Sequence, residues 1–459
     1  MQATSEALQN LVVKYDQRGP RYTSYPTAPY FQEPFSLEYW CQTLEHLKDS
    51  PLSLYFHIPY CKSLCWYCGC NMEVTRKASV VEAYLELLKL EIQKTRHLIG
   101  HPSPVHQIHF GGGSPNMLTP SQLVTLMQKV RATFEVQSGA EISIEADPRL
   151  MDEAFVHAMA ESGFNRVSMG IQDFNPKVQK AIHRQQPFEL VAEKLALLRS
   201  YGFHGVNMDV MYGLPYQTTA SFFETLHQVT SLKPARLALF NYAHLPQLKP
   251  HMKLIPEASI PDSGTKLELF WLAKSHFETE GYEFIGMDHF ALRDDPLCQA
   301  RDRGQLHRNF QGYTTHAHLQ MVGFGQTAIS FLNQCYVQNY GDTETYATAI
   351  RQGLAPIRRG MKLSTDDIFR SKIIQKLFCY NEIRVEYIEN LGGQPFGVLF
   401  PGAKQRLQAM EKDGLLVSDP GGWRATELGQ ILLRNIAMVF DAYLQSDMPG
   451  KKPLFSKTL

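Results

Sequence analysis

Four cysteines within ten residues are the part of this sequence best suited to chemistry. They are Cys61, Cys65, Cys68 and Cys70, and the first three have the spacing C-x3-C-x2-C. Three thiolates can each bind one iron of a cubane [4Fe–4S] cluster, whereas most such clusters have four protein thiolates. The fourth iron would stay open to a small molecule that chelates it through an amino and a carboxylate group.

Zinc is the main alternative for clustered cysteines, but zinc sites favour a C-x2-C pair with a second pair elsewhere. The other four cysteines are scattered along the chain: Cys41, Cys298, Cys335 and Cys379. We therefore interpret Cys61, Cys65 and Cys68 as cluster ligands. Cys70 has three possible roles, as a fourth ligand, a buried bystander or a thiol facing a substrate.

The cysteines follow the first of several strands that alternate with helices. The apolar pattern predicts strands at 52–58, 106–110, 141–146, 166–172, 204–212 and 236–242, with a last strand at 283–287. Capping boxes at Ser79-x-x-Glu82 and Thr119-x-x-Gln122 predict the starts of the first two intervening helices. Such alternation indicates parallel strands, either in a barrel or partial barrel or in an open doubly wound sheet.

In either fold, function is expected at the C-terminal ends of the strands. Polar or glycine-rich residues fall at those ends, namely 111–114, Glu145, Gln172 and Asp209. The segment Gly-Gly-Gly-Ser lacks the lysine of a P-loop, and its bare backbone would let a ligand approach closely. Arg18, Arg21 and Arg308 are candidates for carboxylate recognition, because arginine pairs bidentately with carboxylates.

Composition excludes some classes of function. Lys+Arg and Asp+Glu both total 45, so the formal net charge is zero, which argues against a general nucleic-acid binder. The first residues lack a basic region followed by an apolar run, and no segment has the apolar length of a membrane span. We therefore expect a cytoplasmic protein with neither nucleic acid nor membrane as a partner.

The motifs together resemble the bacterial oxygen-independent coproporphyrinogen III oxidases, which are radical S-adenosylmethionine (SAM) enzymes of heme biosynthesis. The resemblance spans nearly the whole chain. It rests on Gly19-Pro-Arg-Tyr-Thr-Ser-Tyr-Pro-Thr27, His57-Ile-Pro, the four-cysteine run, Gly111-Gly-Gly-Ser-Pro, Glu141-Ile-Ser-Ile-Glu145, Gly163 to Gly170 with Gln172-Asp-Phe-Asn, Asp209 before Tyr212-Gly-Leu-Pro, Asn241-Tyr-Ala-His-Leu-Pro246, Gly286-Met-Asp-His-Phe290 and Arg308-Asn-Phe-Gln-Gly-Tyr-Thr-Thr315.

The resemblance implies an α/β fold, with a partial (β/α)6 TIM-like radical SAM barrel, an N-terminal extension and an α-helical C-terminal domain. It divides the chain into four parts. They are residues 1–50, a segment covering the active site; 51–290, the partial barrel; 291–363, an active-site loop and connecting region; and 364–459, the C-terminal domain.

The resemblance also implies one [4Fe–4S] cluster on Cys61, Cys65 and Cys68 and two SAM molecules. Around the SAM on the cluster it places Tyr55, Gly112, Glu145 and Ile329. Around the second SAM it places Tyr67, Gly113, Ser114, Gln172, Arg184, Asp209 and Ala243. Phe310 and Gln311 match residues that line the active site, and Cys70 matches an additional cysteine expected to be catalytic.

The implied reaction is oxidative decarboxylation of two propionates of coproporphyrinogen III to vinyl groups, which gives protoporphyrinogen IX. An adenosyl radical takes hydrogen from the β-carbon of each propionate, and carbon dioxide and one electron then leave. The expected partners are the substrate and an unidentified electron donor and acceptor. We expect a monomer.

One segment departs from the family pattern. Where the family has an acidic stretch after Thr315, this chain has His316-Ala-His318-Leu-Gln320, which we expect close to the pocket. Two other hypotheses therefore stay open. One is a non-enzymatic heme-binding relative, against which Cys70 and Arg21 argue, and the other is a SAM-dependent heme-opening methyltransferase, which Gln320 keeps possible.

Overall fold

The computed structural model describes residues 10–11, 13–47, 50–445 and 455–458. Its main element is a 12-stranded sheet. Within the described ranges, no helix is both long enough and apolar enough to cross a membrane.

The strands alternate with helices over the first two thirds of the chain. The strands are β1 (Leu52–Ile58), β2 (Tyr60–Cys61), β3 (Glu73–Val74), β4 (Pro104–Gly112), β5 (Glu135–Ala146), β6 (Arg166–Gln172), β7 (Gly205–Tyr212), β8 (Arg236–Asn241), β9 (Tyr282–Gly286), β10 (His289–Leu292), β11 (His307–Asn309), β12 (Gly312–Thr314), β13 (Gln320–Phe324), β14 (Ile329–Leu332), β15 (Cys335–Asn339), β16 (Ile357–Lys362), β17 (Glu382–Arg384), β18 (Leu416–Asp419) and β19 (Gly422–Ala425).

The helices lie between these strands and in the C-terminal part. They are α1 (Leu37–Glu45), α2 (Ala78–Ile99), α3 (Pro120–Thr133), α4 (Glu153–Glu161), α5 (Pro176–Ala181), α6 (Phe188–Ser200), α7 (Thr219–Ser231), α8 (Ser263–Thr279), α9 (Pro296–Asp302), α10 (Thr343–Arg351), α11 (Thr365–Tyr380), α12 (Val385–Gly392), α13 (Phe396–Leu399), α14 (Ala403–Lys412), α15 (Glu427–Ile431), α16 (Leu433–Ala437) and α17 (Ala442–Gln445).

Six strands, β1 and β4 to β8, are parallel neighbours, and each crosses to the next through helical sequence. Strand β1 is buried along nearly its whole length, as expected for a parallel strand covered on both faces. The whole sheet has the strand order β16-β15-β14-β13-β1-β4-β5-β6-β7-β8-β10-β9, and its two end strands, β16 and β9, do not pair with each other. The result is the partial (β/α)6 barrel that the resemblance implies.

The sheet extends beyond the predicted strands. Strand β9, predicted as the last strand, pairs antiparallel with β10 instead of continuing the parallel series. The region 291–363, expected as a loop and connection, supplies β13 to β16, and β13 pairs parallel with β1. These strands are short and far from β1 in sequence, so their pairing could not be read from local pattern.

The C-terminal part, from 364, contains α11 to α17 and a small antiparallel sheet with the order β17-β19-β18. Its apolar side chains form a cluster of their own, which also includes Tyr22 and Tyr25 of the N-terminal segment. The N-terminal segment is therefore packed against the C-terminal part.

Candidate active site

A cavity of about 700 Å³ lies at the C-terminal ends of the parallel strands. It brings together most of the residues expected at the site. Those in its wall are Cys61, Cys65, Tyr67, Cys68, Cys70, Gly112, Gly113, Ser114, Glu145, Gln172, Arg184, Asp209 and Ala243. Residues of the N-terminal segment, among them Arg21, Tyr22 and Thr27, also line it.

The cysteine loop is fastened to the barrel through its backbone. Nδ1 of His183 contacts the carbonyl of Leu64 at 2.7 Å, and Nε2 of His251 contacts the carbonyl of Cys68 at 2.8 Å. Lys249 donates to the carbonyl of Cys70 at 2.7 Å. The loop is thus fixed by side chains from two other crossovers, and its thiols face the cavity.

Two arginines approach the buried thiol of Cys65. Arg184 and Arg149 point guanidinium nitrogens at its sulfur at 3.7 and 3.8 Å, and both also pair with Asp147. Cationic donors stabilise a thiolate, which is the form that binds metal. The sequence motif gave no sign of Arg149, although it follows directly after a predicted strand end.

The thiols differ in their surroundings. Burial raises the pKa of Cys61 to about 11, whereas a hydrogen bond from Cys70 lowers the pKa of Cys68 to about 6. In the described part of the chain, no three His, Cys, Asp or Glu side chains are placed to share a single metal ion. Ligands of a cubane need not converge on one point, since each binds a different iron, and Cys61, Cys65 and Cys68 fit that requirement.

The glycine segment after β4 lies close beside the cysteine loop. The amides of Gly113 and Ser114 donate to the carbonyls of Ile58 and Tyr60, both at 2.8 Å. A Cβ on Gly113 would lie 2.7 Å from the carbonyl oxygen of Tyr60, so only glycine allows this approach. The Ser114 hydroxyl is 3.5 Å from the sulfur of Cys61, which joins the two predicted motifs.

Glu145 is the second-last residue of β5, and it lines the cavity. It accepts a hydrogen bond from the Gly112 amide at 3.2 Å, and Nε2 of His109 lies 3.4 Å away. Burial would raise its pKa, but the hydrogen bonds from His109 and Gly112 outweigh burial and leave the pKa below its usual value. Glu145 is therefore an anionic acceptor, suited to an amino or hydroxyl group of a ligand.

Asp209, Gln172 and Arg184 belong to the part of the wall at the ends of the next two strands, β6 and β7. Burial and the nearby Glu145 raise the pKa of Asp209 to about 6, although Asn207 donates to it at 2.7 Å. Gln172 is buried at a left-handed φ of 68°, which is uncommon outside glycine. Arg184 donates to the carbonyl of Gly170 at 2.8 Å and is held rigidly in the wall.

Four of the expected site residues do not line the cavity. Tyr55 lies behind its wall, where its hydroxyl contacts Nδ1 of His57 at 2.9 Å. Phe310 and Ile329 pack into an apolar cluster with Phe31 and Tyr336. The side-chain nitrogen of Gln311 is buried without a hydrogen-bond partner in the described ranges.

The three candidate arginines lie in different places. Arg18 is exposed and donates to the carbonyl of Phe455, and it does not line the cavity. Arg308 is buried and donates to the backbone carbonyl of Tyr22 at 2.7 Å, so its charge serves the protein's own backbone. Arg21 is the member of the three that faces the cavity.

The expectation that His316 to Gln320 lies close to the pocket is wrong. Gln320 begins β13 and pairs with Leu52 at the start of β1, so the segment is at the N-terminal ends of the barrel strands, opposite the cavity. The ring of His318 lies 6.4 Å from that of His106, near the start of β4, and Gln320 accepts from the amide of Asn333. This departure therefore does not alter the cavity wall.

Comparison with known proteins agrees with this geometry. A model of the radical SAM superfamily matches residues 55–229. The chain is 41% identical to the "Oxygen-independent coproporphyrinogen III oxidase" of Synechocystis sp. over 99% of both chains, and 41% identical to that of Escherichia coli strain K12 over 95% of both.

A solved structure shows the same fold. The coproporphyrinogen III oxidase of Escherichia coli, described as a radical SAM enzyme, superposes with a TM-score of 0.88 at 40% identity, covering 93% of this chain and all of that one. Similarity of this extent covers the barrel, the N-terminal segment and the C-terminal part together. The chain belongs to the oxygen-independent coproporphyrinogen III oxidase family of radical SAM enzymes, which use a [4Fe–4S] cluster and SAM.

Proposed function

We propose that this protein converts two propionates of coproporphyrinogen III to vinyl groups and so forms protoporphyrinogen IX. The observation that carries the proposal is the single cavity that joins the three-cysteine loop to the glycine segment and the strand-end carboxylates. A bound cluster and SAM would supply the radical chemistry needed to remove hydrogen from the β-carbon of a propionate.

The side chains of the cavity have distinct proposed roles. Cys61, Cys65 and Cys68 would hold the cluster, with Arg149 and Arg184 balancing the negative charge at Cys65. The interaction with the thiolate of Cys65 would offset the free-energy cost of burying the guanidinium groups of Arg149 and Arg184.

Two SAM molecules are proposed for the same cavity. Gly112 and Glu145, with Tyr55 behind them, would bind the one on the cluster. The second SAM would contact Tyr67, Gly113, Ser114, Gln172, Arg184, Asp209 and Ala243. Equilibrium binding to the reconstituted protein should give two SAM per cluster, and Asp209→Asn should weaken one of them. A stoichiometry of one would contradict the second site.

Cys70 is proposed as a catalytic residue that faces the substrate. It is exposed to the cavity, and its thiol donates to Cys68, which raises the pKa of Cys70 well above that of a free thiol. A protonated thiol beside the reacting carbon would be able to donate a proton or a hydrogen atom. Phe310 and Gln311 do not line the cavity, and we propose that they lie close to the substrate when it is bound.

The central experiment is anaerobic reconstitution with iron and sulfide, followed by reductant, SAM and coproporphyrinogen III. Oxidation of the product should reveal protoporphyrin by its fluorescence. Cys68→Ala should lose iron, sulfide and SAM cleavage together. Cys70→Ser should keep the cluster and SAM cleavage but lose the vinyl product, whereas the control Cys41→Ser, on α1 outside the cavity wall, should behave as wild type.

Two results would contradict the proposal at different levels. A cluster that cleaves SAM without a vinyl product would contradict the substrate. Failure to bind iron and sulfide would contradict the cofactor.

We further propose a cytoplasmic monomer that takes electrons from a donor, and passes them to an acceptor, both still unidentified. All eight cysteines are free thiols, which suits a reducing compartment. The net charge of zero suits neither nucleic acid nor an anionic membrane surface.

A further inference from the structure

Arg21 differs from the other arginines in the cavity wall. Arg149 and Arg184 both pair with Asp147 at 2.6 and 3.4 Å. The guanidinium of Arg21 forms no ion pair with the described residues, and the one hydrogen bond that it makes to them is a long contact of 3.5 Å to the carbonyl of Asn241. Its guanidinium thus keeps most of its donors available to a ligand in the cavity.

The backbone that carries Arg21 is held by two buried arginines. Arg434 donates to the carbonyls of Gly19 and Pro20, the latter at 3.0 Å. Arg308 donates to the carbonyls of Arg21 and Tyr22, at 3.3 and 2.7 Å. Four consecutive carbonyls, from Gly19 to Tyr22, therefore accept from guanidinium groups that are only 6% and 8% exposed.

Burying two guanidinium groups beside this segment costs folding free energy, which indicates that the segment must be held in a fixed position. Burying a guanidinium opposes folding unless its donors are well used. Tyr22 also has a left-handed φ of 49°, a backbone conformation that persists only where the surroundings enforce it. Two buried cations and a strained residue fix the segment at the point where Arg21 enters the cavity.

Three guanidinium groups, those of Arg21, Arg308 and Arg434, interact at this end of the cavity with one buried carboxylate, that of Asp288, so positive charge is in excess. Burial, with a smaller contribution from the charge of Arg21, lowers the pKa of Arg434 to about 10, although Asp288 opposes this shift. An anionic ligand in the cavity beside Arg21 would offset this excess of positive charge. The planar donor pattern of arginine matches a carboxylate in a bidentate arrangement.

We propose that Arg21 binds a propionate carboxylate of the porphyrinogen, and that Arg308 and Arg434 are positioning residues that fix its backbone. The identity of the carboxylate as a propionate rests on the proposed function. Arg21 then determines which polycarboxylate enters and how its ring is oriented toward the cysteine loop.

Binding can be measured without the cluster or turnover. Coproporphyrin III, the fluorescent oxidised form of the substrate, is titrated into cluster-free protein. Arg21→Met should raise its Kd at least about tenfold, which corresponds to about 1.4 kcal/mol. Arg21→Lys should recover part of the affinity, because lysine keeps the charge but not the bidentate geometry. Arg18→Met, an exposed arginine on the same segment, is the matched control and should bind as wild type.

The uncharged tetra-amide of coproporphyrin III separates carboxylate recognition from damage to the fold. Arg21→Met should bind the tetra-amide as wild type does, because no carboxylate contact is lost. Arg308→Met and Arg434→Met should weaken the tetra-acid more than the tetra-amide. If a substitution raises the Kd of both ligands by the same factor, it has only damaged the fold. That result for both Arg308→Met and Arg434→Met would overturn their role in positioning Arg21.

Failure of this inference and failure of the proposed function are distinguishable. Equal affinity of wild type and Arg21→Met for the tetra-acid would overturn the role of Arg21, even if the enzyme makes vinyl product. An Arg21-dependent affinity without any vinyl product would support the carboxylate site while contradicting the proposed reaction. Absence of any coproporphyrin binding to wild type would overturn the inference.

Discussion

Gly112 illustrates how one residue can serve both the fold and the site. Its φ is +115°, its amide donates to Glu145, and a Cβ there would lie 2.7 Å from the ring of His57. The glycine therefore permits a backbone path that no other residue could follow without moving His57. Gly139 has a φ of +82° but open space around its missing Cβ.

Comparison of these two glycines gives a prediction. Gly112→Ala should lower the free energy of unfolding by roughly 2–4 kcal/mol, because backbone strain adds to overpacking. Gly139→Ala should lower it by about 1 kcal/mol, through strain alone. Urea unfolding of the cluster-free proteins measures both. Equal losses of unfolding free energy would show that the close contact between the added Cβ and the ring of His57 costs no stability.

At the scale of elements, the start of α3 forms as the sequence predicts, whereas the start of α2 does not. Thr119 accepts from the Gln122 amide, and the Gln122 side chain accepts from the Thr119 amide, so the predicted capping box is confirmed. The box predicted at Ser79 and Glu82 is wrong, because α2 begins at Ala78 and its N-cap is Lys77.

Substitution of the two predicted caps should therefore have unequal effects. Thr119→Ala should cost about 1 kcal/mol of unfolding free energy, as loss of an N-cap usually does. Ser79→Ala is the matched control and should change the stability by less than about 0.5 kcal/mol. Thermal or urea unfolding distinguishes the two, and a large effect of Ser79→Ala would contradict the observed helix start.

Glu91 of α2 links several elements that are far apart in sequence. Its carboxylate accepts from the Gly325 amide at 2.8 Å, the Asn339 side chain at 2.7 Å and the Tyr346 hydroxyl at 2.7 Å. Burial nevertheless raises its pKa from 4.5 to about 7. The folded protein therefore holds this proton more tightly than the unfolded chain does.

This difference predicts a dependence of stability on pH. The contribution of Glu91 is fully present below about pH 4.5 and is lost as the pH rises through about 7, by roughly 3 kcal/mol in total. Glu91→Gln cannot ionise, so wild type should lose stability relative to Glu91→Gln between pH 5 and pH 8. Urea unfolding of both proteins across this range measures the gap. A constant gap would contradict the raised pKa.

The limits of sequence reasoning follow from these elements. The cysteine loop, the glycine segment and the strand-end carboxylates were predictable, because each is a local pattern at the end of a parallel strand. The pairing of β13 with β1 was not, since it joins residues more than 250 positions apart. Arg308 and His318 were mispredicted for the same reason. The sequence predicts Arg308 to be available to a ligand, but it donates to the backbone carbonyl of Tyr22. The sequence predicts His318 close to the pocket, but it lies at the other end of the barrel strands.

At the scale of the whole molecule, the N-terminal segment joins the barrel to the C-terminal part. The hydroxyl of Tyr22 donates to the buried Asp441 at 2.8 Å. Asn435 donates to the carbonyl of Tyr15 at 2.8 Å. Gln32 pairs with Gly360 of β16, so the segment is also held at the edge of the sheet.

One hydrogen bond of this junction can be tested alone. Tyr22→Phe should lower the unfolding free energy by about 1–3 kcal/mol, because the buried carboxylate of Asp441 loses a donor. Tyr30→Phe is the matched control, since the half-buried hydroxyl of Tyr30 makes only a long contact of 3.4 Å to the carbonyl of Tyr443. Urea unfolding measures both, and similar losses would mean that the contact with Asp441 is not special.

The junction also includes residues from both ends of the described chain. The Gly19 amide donates to the carbonyl of Ser456, and the Thr458 amide donates to the carbonyl of Gln17. Chains fold progressively as they leave the ribosome. The barrel strands and the cysteine loop are made long before residues 455–458, so the segment bearing Arg21 acquires its full set of contacts only when translation is nearly over. Until those last contacts form, the part of the cavity wall that this segment supplies is held less firmly than in the complete protein.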